Sequence, residues 1–131
     1  GVQTCALPIS KPGDNLVVGG DYNIAPEDID VWDTKALAGS THVSTPEREK
    51  LQALSDWGLR DVLREQHPEP GIYSWWDYRN GSFHRGWGMR IDLMLATSRV
   101  ADATSWTAID RNARKGEQPS DHAPVLMEVS T

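Results

Sequence analysis

Apolar positions in this chain fall in short runs separated by polar punctuation. Leu16-Val17-Val18, bounded by Asp14-Asn15 and Gly19-Gly20, predicts a buried strand over Asn15–Gly20. Residues 24–44 carry Pro26, Gly39 and several acids without periodicity, which predicts a long irregular loop with one helical turn near Pro26–Asp30. Thr45-Pro46-Glu47 reads as a helix start: Thr45 accepts from orphan backbone donors, Pro46 takes the first helical position and Glu47 suits the macrodipole. Leu51, Leu54 and Trp57 then share one face, and Gly58 ends the helix. Leu59–Arg64 predicts a second short helix that buries Leu59, Val62 and Leu63, closed by Pro68 and Pro70. Tyr73–Tyr78 is rich in aromatic strand formers, and Asn80-Gly81 reads as a turn. Arg90–Ala96, Ala103–Ile109 and Pro124–Val129 read as further strands. Strand, helix, helix and four strands make an α+β arrangement for the chain in isolation.

Polar groups stand at the ends of three of these apolar runs. Gly19-Gly20-Asp21-Tyr22-Asn23 follows the first strand, Met89-Arg90-Ile91-Asp92-Leu93 opens a later one, and Ser120-Asp121-His122-Ala123-Pro124 precedes the last. Each can present a carboxylate, amide or imidazole at a sheet edge while the strand stays buried. Taken singly, each also fits a structural role: a turn at Asp21–Asn23, a cap at Asp121-His122, a salt bridge between Asp92 and Arg90, and core packing for one of Trp75 and Trp76, which alternation places on opposite faces. His42, His67 and His84 have no carboxylate-spaced partner and read as surface histidines.

The ordered set, with Trp75-Trp76-Asp77-Tyr78-Arg79 between the first and second motifs, resembles the exodeoxyribonuclease III and abasic-site endonuclease family, within the larger endonuclease, exonuclease and phosphatase superfamily, from about Leu16 to Val129. The resemblance implies an α/β fold, a four-layer sandwich of two similar halves, of which this chain supplies the second. The inner sheet face would then lack its partner and expose apolar surface. The resemblance also implies that Asp21, Asn23, Asp92 and His122 are catalytic, with Asp92 orienting the imidazole of His122. Asp21, Asn23 and Asp121 would serve a Mg²⁺ or Mn²⁺ ion, which suits oxygen donors. The family's earlier Asn, metal-binding Glu and catalytic Tyr match no residue here, so the chain alone is expected to be inactive. Trp75 and Trp76 would wall a pocket for a flipped abasic sugar. Arg79, Arg90, Arg114 and Lys115 would contact phosphates, and Asn80–Trp87 would enter the DNA groove. The expected function is hydrolysis of double-stranded DNA at abasic sites or 3′ ends by a protein monomeric at full length. A phosphatase or phospholipase acting on inositol phosphates or lipids, and a silent DNA-binding remnant, are the alternatives.

Charge bears on that expectation. The net charge of -6 opposes a polyanionic partner. Its distribution differs, with 6 basic and 12 acidic residues over Lys11–Glu69 against 7 basic and 3 acidic over Arg79–Lys115. An acidic body with a basic rim suits a protein that meets a polyanion on one face. The first ten residues, Gly1 to Ser10, fit nothing that follows and look like a conceptual translation of a sequencing adapter, so they are set aside from the fold. They contain Cys5, the one cysteine; residues 11–131 therefore offer no thiolate ligand, which fits a cytoplasmic location. No apolar run approaches the roughly 20 residues that span a bilayer.

Overall fold

The computed structural model describes residues 9–130; Cys5 and most of the ten-residue leading segment lie outside the described residues. Seven strands and four α-helices follow in the order β1 (Val17–Asp21), α1 (Thr45–Trp57), β2 (Leu59–Asp61), α2 (Val62–Gln66), β3 (Trp75–Trp76), α3 (Ser82–Arg85), β4 (Gly88–Met89), β5 (Asp92–Thr97), α4 (Ser98–Asp102), β6 (Thr104–Ile109) and β7 (Val125–Val129). Single 3-10 turns occupy Asp28–Asp30, Arg79–Gly81 and Arg111–Arg114. The pairings form a three-stranded sheet β1-β5-β2 and two ribbons, β3-β4 and β6-β7, all antiparallel. No helix among the described residues is long and apolar enough to cross a membrane.

α1 begins one residue earlier than expected in its capping: Ser44, not Thr45, is the cap, with its N–H and its hydroxyl both bonded to the Glu47 carboxylate. That hydroxyl holds the Glu47 carboxyl below its ordinary range. Leu54 is buried and Leu51 and Trp57 pack beside it against Leu59, Leu93 and Leu95, as the helical spacing predicts. Gly58 ends the helix at a φ of 129°.

Three expectations need correction. Leu59–Asp61 does not open a helix; it pairs with β5 from Leu59 opposite Thr97 to Asp61 opposite Leu95, and Asp61 then caps α2 by accepting from the Arg64 N–H. Val62 and Leu63 are buried there as expected. β1 is an edge strand rather than a buried one, so Val18 joins the core under α1 while Val17, on the opposite face, is 41% exposed. Trp106 and Leu126 in the β6-β7 ribbon are likewise 50% and 42% exposed. The strand expected over Arg90–Ala96 starts at Asp92 because the backbone changes partners just before it: the Arg90 N–H goes to the Asp30 carbonyl, and the Ile91 carbonyl accepts from the Tyr22 N–H.

Arg90 supplies the largest correction. Its side chain is 1% exposed and pairs with Asp30, itself fully buried, and with Asp61 at 2.8 Å, so it has no access to a phosphate and makes no salt bridge to Asp92. Burial works against the guanidinium's charge, but Asp61 and Asp30 outweigh it and hold its pKa above the ordinary value. Asp30 also pairs with Arg64, so one carboxylate ties the turn after β1 to α2 and to the start of β5. Asp30→Ala, which removes a carboxylate partner from two guanidinium groups, one of them buried, should destabilise the intact protein by about 3–5 kcal/mol, read as a lowered midpoint of urea unfolding.

Candidate active site

Asp21 and Asp92 face one another at the open end of the β1-β5 ladder. Like charges directly opposite on antiparallel strands repel, and the imidazole of His122 enters beside both. Its Nδ1 lies 2.8 Å from Asp92 Oδ2 and its Nε2 lies 3.9 Å from Asp21 Oδ2. A carboxylate only accepts, so the Nδ1 edge carries the proton toward Asp92 and Nε2 is turned to Asp21. One ligand atom from each of the three falls within 4.8 Å of the others. Beside them runs an open trough of about 340 Å³ that includes Gly20, Met94, Ser120 and Val125 in its walls.

Three local devices hold the trio. Ser74, fully buried, accepts through its hydroxyl from the N–H groups of both Ile91 and Asp92 at 3.0 Å, filling the gap where β5 changes partners. His122 bridges Trp75 through the backbone, and its own N–H rests on the Ser120 hydroxyl at 3.1 Å. The Asn23 N–H donates to Asp21 Oδ1 at 2.8 Å, which leaves Oδ2 toward His122. Tyr22, between them, gives its hydroxyl to the Val18 carbonyl; burial pushes this phenol up to about 12, with the Asp61 charge adding to the shift.

Of the expected site residues, Asp21, Asp92 and His122 converge, and the others take different places. Asn23 does not continue the strand beside Asp21: at a φ of 55° it turns left-handed and is exposed at the rim. Asp121 stands outside the trio; its Oδ2 accepts from the Trp75 indole at 3.0 Å, so it braces the loop instead of joining the acidic cluster. Trp75 packs on the cluster of Val31, Met89 and Ile91, whereas Trp76 is 2% exposed and belongs to the core, not to a substrate pocket. Gly88, opposite Trp76, must lack a side chain because a Cβ would come within 2.5 Å of the Trp76 indole nitrogen and 2.7 Å of the Tyr73 ring. Arg114 is only 7% exposed and does not track a DNA backbone; Lys115 beside it is exposed. Arg79 is exposed but forked onto Asp77.

The sequence pattern missed two contributors. Ser74 carries no local signal, because its role depends on backbone groups 17 and 18 residues away. His42, read as a surface histidine, is half-buried, places Nδ1 2.6 Å from the Asn23 carbonyl and tilts against Trp75 with ring centroids 6.3 Å apart.

With this geometry in view, the sequence matches the Endonuclease/Exonuclease/phosphatase family over residues 6–122. The chain belongs to that family of hydrolases. Exodeoxyribonuclease III of Haemophilus influenzae is 33% identical over 123 residues, 86% of this chain and 45% of that protein. A solved 3′ phosphatase from Neisseria, bound to a product DNA hairpin, matches with a TM-score of 0.87 and 43% identity over 89% of this chain and 46% of its own. An AP endonuclease from Archaeoglobus fulgidus matches with a TM-score of 0.90 and 34% identity over 95% of this chain and 49% of its own. The α/β sandwich expected from the sequence is the fold of these neighbours. The chain spans less than half the length of the relatives it matches.

The Arg79 fork has a measurable signature. Its side chain and then its backbone N–H hold the Asp77 carboxyl down at about 2. A depressed carboxylate contributes stability above its ordinary range and loses it as pH falls through about 2, and for so exposed a pair the contribution is small. Carboxyl ¹³C shifts should place the Asp77 midpoint near 2 and return it toward 3.8 in Arg79→Ala; an unmoved midpoint would leave Arg79 free of Asp77.

Proposed function

We propose that this chain carries the histidine-bearing wall of a DNA repair nuclease, one that hydrolyses phosphodiesters at abasic sites or 3′ ends. The observation that carries the reading is the convergence of Asp21, Asp92 and His122 from two paired strands and a separate loop onto one edge. Support for DNA as the substrate comes from relatives named as exodeoxyribonuclease, AP endonuclease and 3′ phosphatase.

The donor set fits a hard divalent cation. Asp21 and Asp92 offer carboxylate oxygens and His122 an imidazole nitrogen, Asn23 is exposed two residues from Asp21, and the described residues hold no cysteine. Asp21, whose Oδ2 takes no hydrogen bond from the backbone, and Asn23 would hold the ion. Bound there, Mg²⁺ or Mn²⁺ would neutralise charge on the phosphoryl oxygens and acidify water.

The chain's own groups do the rest. Asp92 fixes the tautomer and direction of His122, so that Nε2 is the atom that takes or holds a proton beside the phosphoryl group. Trp75, braced by Asp121, offers an aromatic edge at the same rim as His42. Exposed Lys115 is the strongest remaining candidate for a phosphate contact, because Arg90 and Arg114 are buried and Arg79 is partnered. The metal-binding Glu and catalytic Tyr implied by the resemblance have no counterpart in this sequence, so the chain by itself should not turn over DNA.

In the intact protein, His122→Asn should lower kcat on abasic and 3′-terminal DNA by about 10²-fold or more while DNA affinity holds, since the change removes proton chemistry and no backbone contact. Near-normal cleavage by that variant would sink the site assignment. Chelation should abolish turnover and added Mg²⁺ or Mn²⁺ restore it; chelator-resistant cleavage would remove the ion from the proposal.

A further inference from the structure

We infer that Arg114 is a positioning residue for His122: a brace inside the β6–β7 connection, and not a contact to DNA phosphate. The inference rests on the reading of His122 as the proton-handling group.

The loop Pro119–Ala123 has no regular structure beyond the single bridge between His122 and Trp75, so its shape depends on bonds from outside. Most come from one segment. The Ser74 carbonyl accepts from the Ala123 N–H at 2.7 Å, the Trp76 N–H donates to the Asp121 carbonyl at 3.1 Å, and the Tyr78 hydroxyl donates to the Pro119 carbonyl at 2.9 Å. The Trp75 indole takes the Asp121 side chain. The carbonyl between these anchor points, that of Ser120, accepts from Arg114 Nη1. Ser120 is also the residue whose hydroxyl supports the His122 N–H. Arg114 therefore acts two residues from the imidazole, on the one residue of the loop that touches His122 locally.

The burial of Arg114 argues for this use. No described carboxylate pairs with it, and its Nε has no hydrogen-bond partner. Instead its guanidinium lies 4.9 Å from the Phe83 ring centroid, 5.4 Å from that of Tyr78 and 5.9 Å from that of Trp76. Aromatic faces offset part of the cost of burying a cation but do not orient it; the Ser120 carbonyl does. The planar group is thus wedged between α3, the β3 segment and the His122 loop. Since Ser74, at the head of the same segment, also holds the Asp92 N–H, the brace references His122 to the body that positions its carboxylate partner.

Arg114→Ala, Arg114→Lys and Tyr78→Phe, each alone and combined with His122→Asn in the intact protein, test the inference. Arg114→Ala should lower kcat by about 10- to 100-fold, with KM and the salt dependence of DNA binding unchanged. In the His122→Asn background the same change should cost less than about twofold, because a brace has nothing left to position. Lys should not rescue, since it lacks the planar fork, whereas a phosphate contact tolerates it. Tyr78→Phe removes only the hydroxyl bond to Pro119; its smaller loss, also confined to kcat, tests the same loop should Arg114→Ala fail to fold. A raised KM with a flattened salt slope, rescue by Lys, or a full loss persisting beside His122→Asn would overturn the inference while leaving the site reading intact. Near-normal turnover by His122→Asn alone would instead overturn the site reading, and the brace with it.

Discussion

The rest of the structure hangs on the buried guanidinium of Arg90 and the two carboxylates that face it. Burying such charges is costly, and the cost is met only when the partners are close and fixed. Here the partners come from different places: Asp30 from the turn after β1, Asp61 from the end of β2, with Arg64 of α2 sharing Asp30. Meeting that requirement draws the loop after β1 onto the sheet and sets the chain immediately before Asp92. The backbone bond from the Arg90 N–H to the Asp30 carbonyl reinforces it.

From that anchor the active edge follows. With residue 90 held by Asp30, residue 91 bonds Tyr22 and residue 92 falls opposite Asp21. Because side chains alternate along a strand, one residue of slip would send Asp92 to the face that holds Leu93 and Leu95 and leave the Asp21 carboxylate alone. Ser74 closes the break in the ladder with two N–H groups that would otherwise be buried without partners. Repulsion between the paired acids is then relieved by His122, or by a cation. The feature that makes the edge a candidate site is thus the same one that makes it unfavourable without a ligand or an imidazole.

The basic residues show how tertiary context redistributes chemistry. Seven cations between Arg79 and Lys115 suggest a phosphate-binding rim. In the fold four of them separate into a buried structural charge at Arg90, an aromatic-caged one at Arg114, a partnered one at Arg79 and an exposed one at Lys115. Local charge counts report the composition of a surface only when the side chains reach it. Two of these do not.

The sequence by itself determined where α1 runs, since its apolar spacing and the glycine after it are local instructions, and it determined which polar residues end apolar runs, which located Asp21, Asp92 and His122. The ordered motifs were specific enough to name the family. Only the tertiary structure decided whether Leu59–Asp61 is helix or strand, because that depends on hydrogen bonds to β5, more than thirty residues away. It also decided that Trp76 and Arg90 are core, that Asp121 braces a tryptophan, and that Ser74 and His42 reach the site. Each outcome turns on which groups become buried together, and burial is a property of the assembled chain that no run of neighbouring residues encodes.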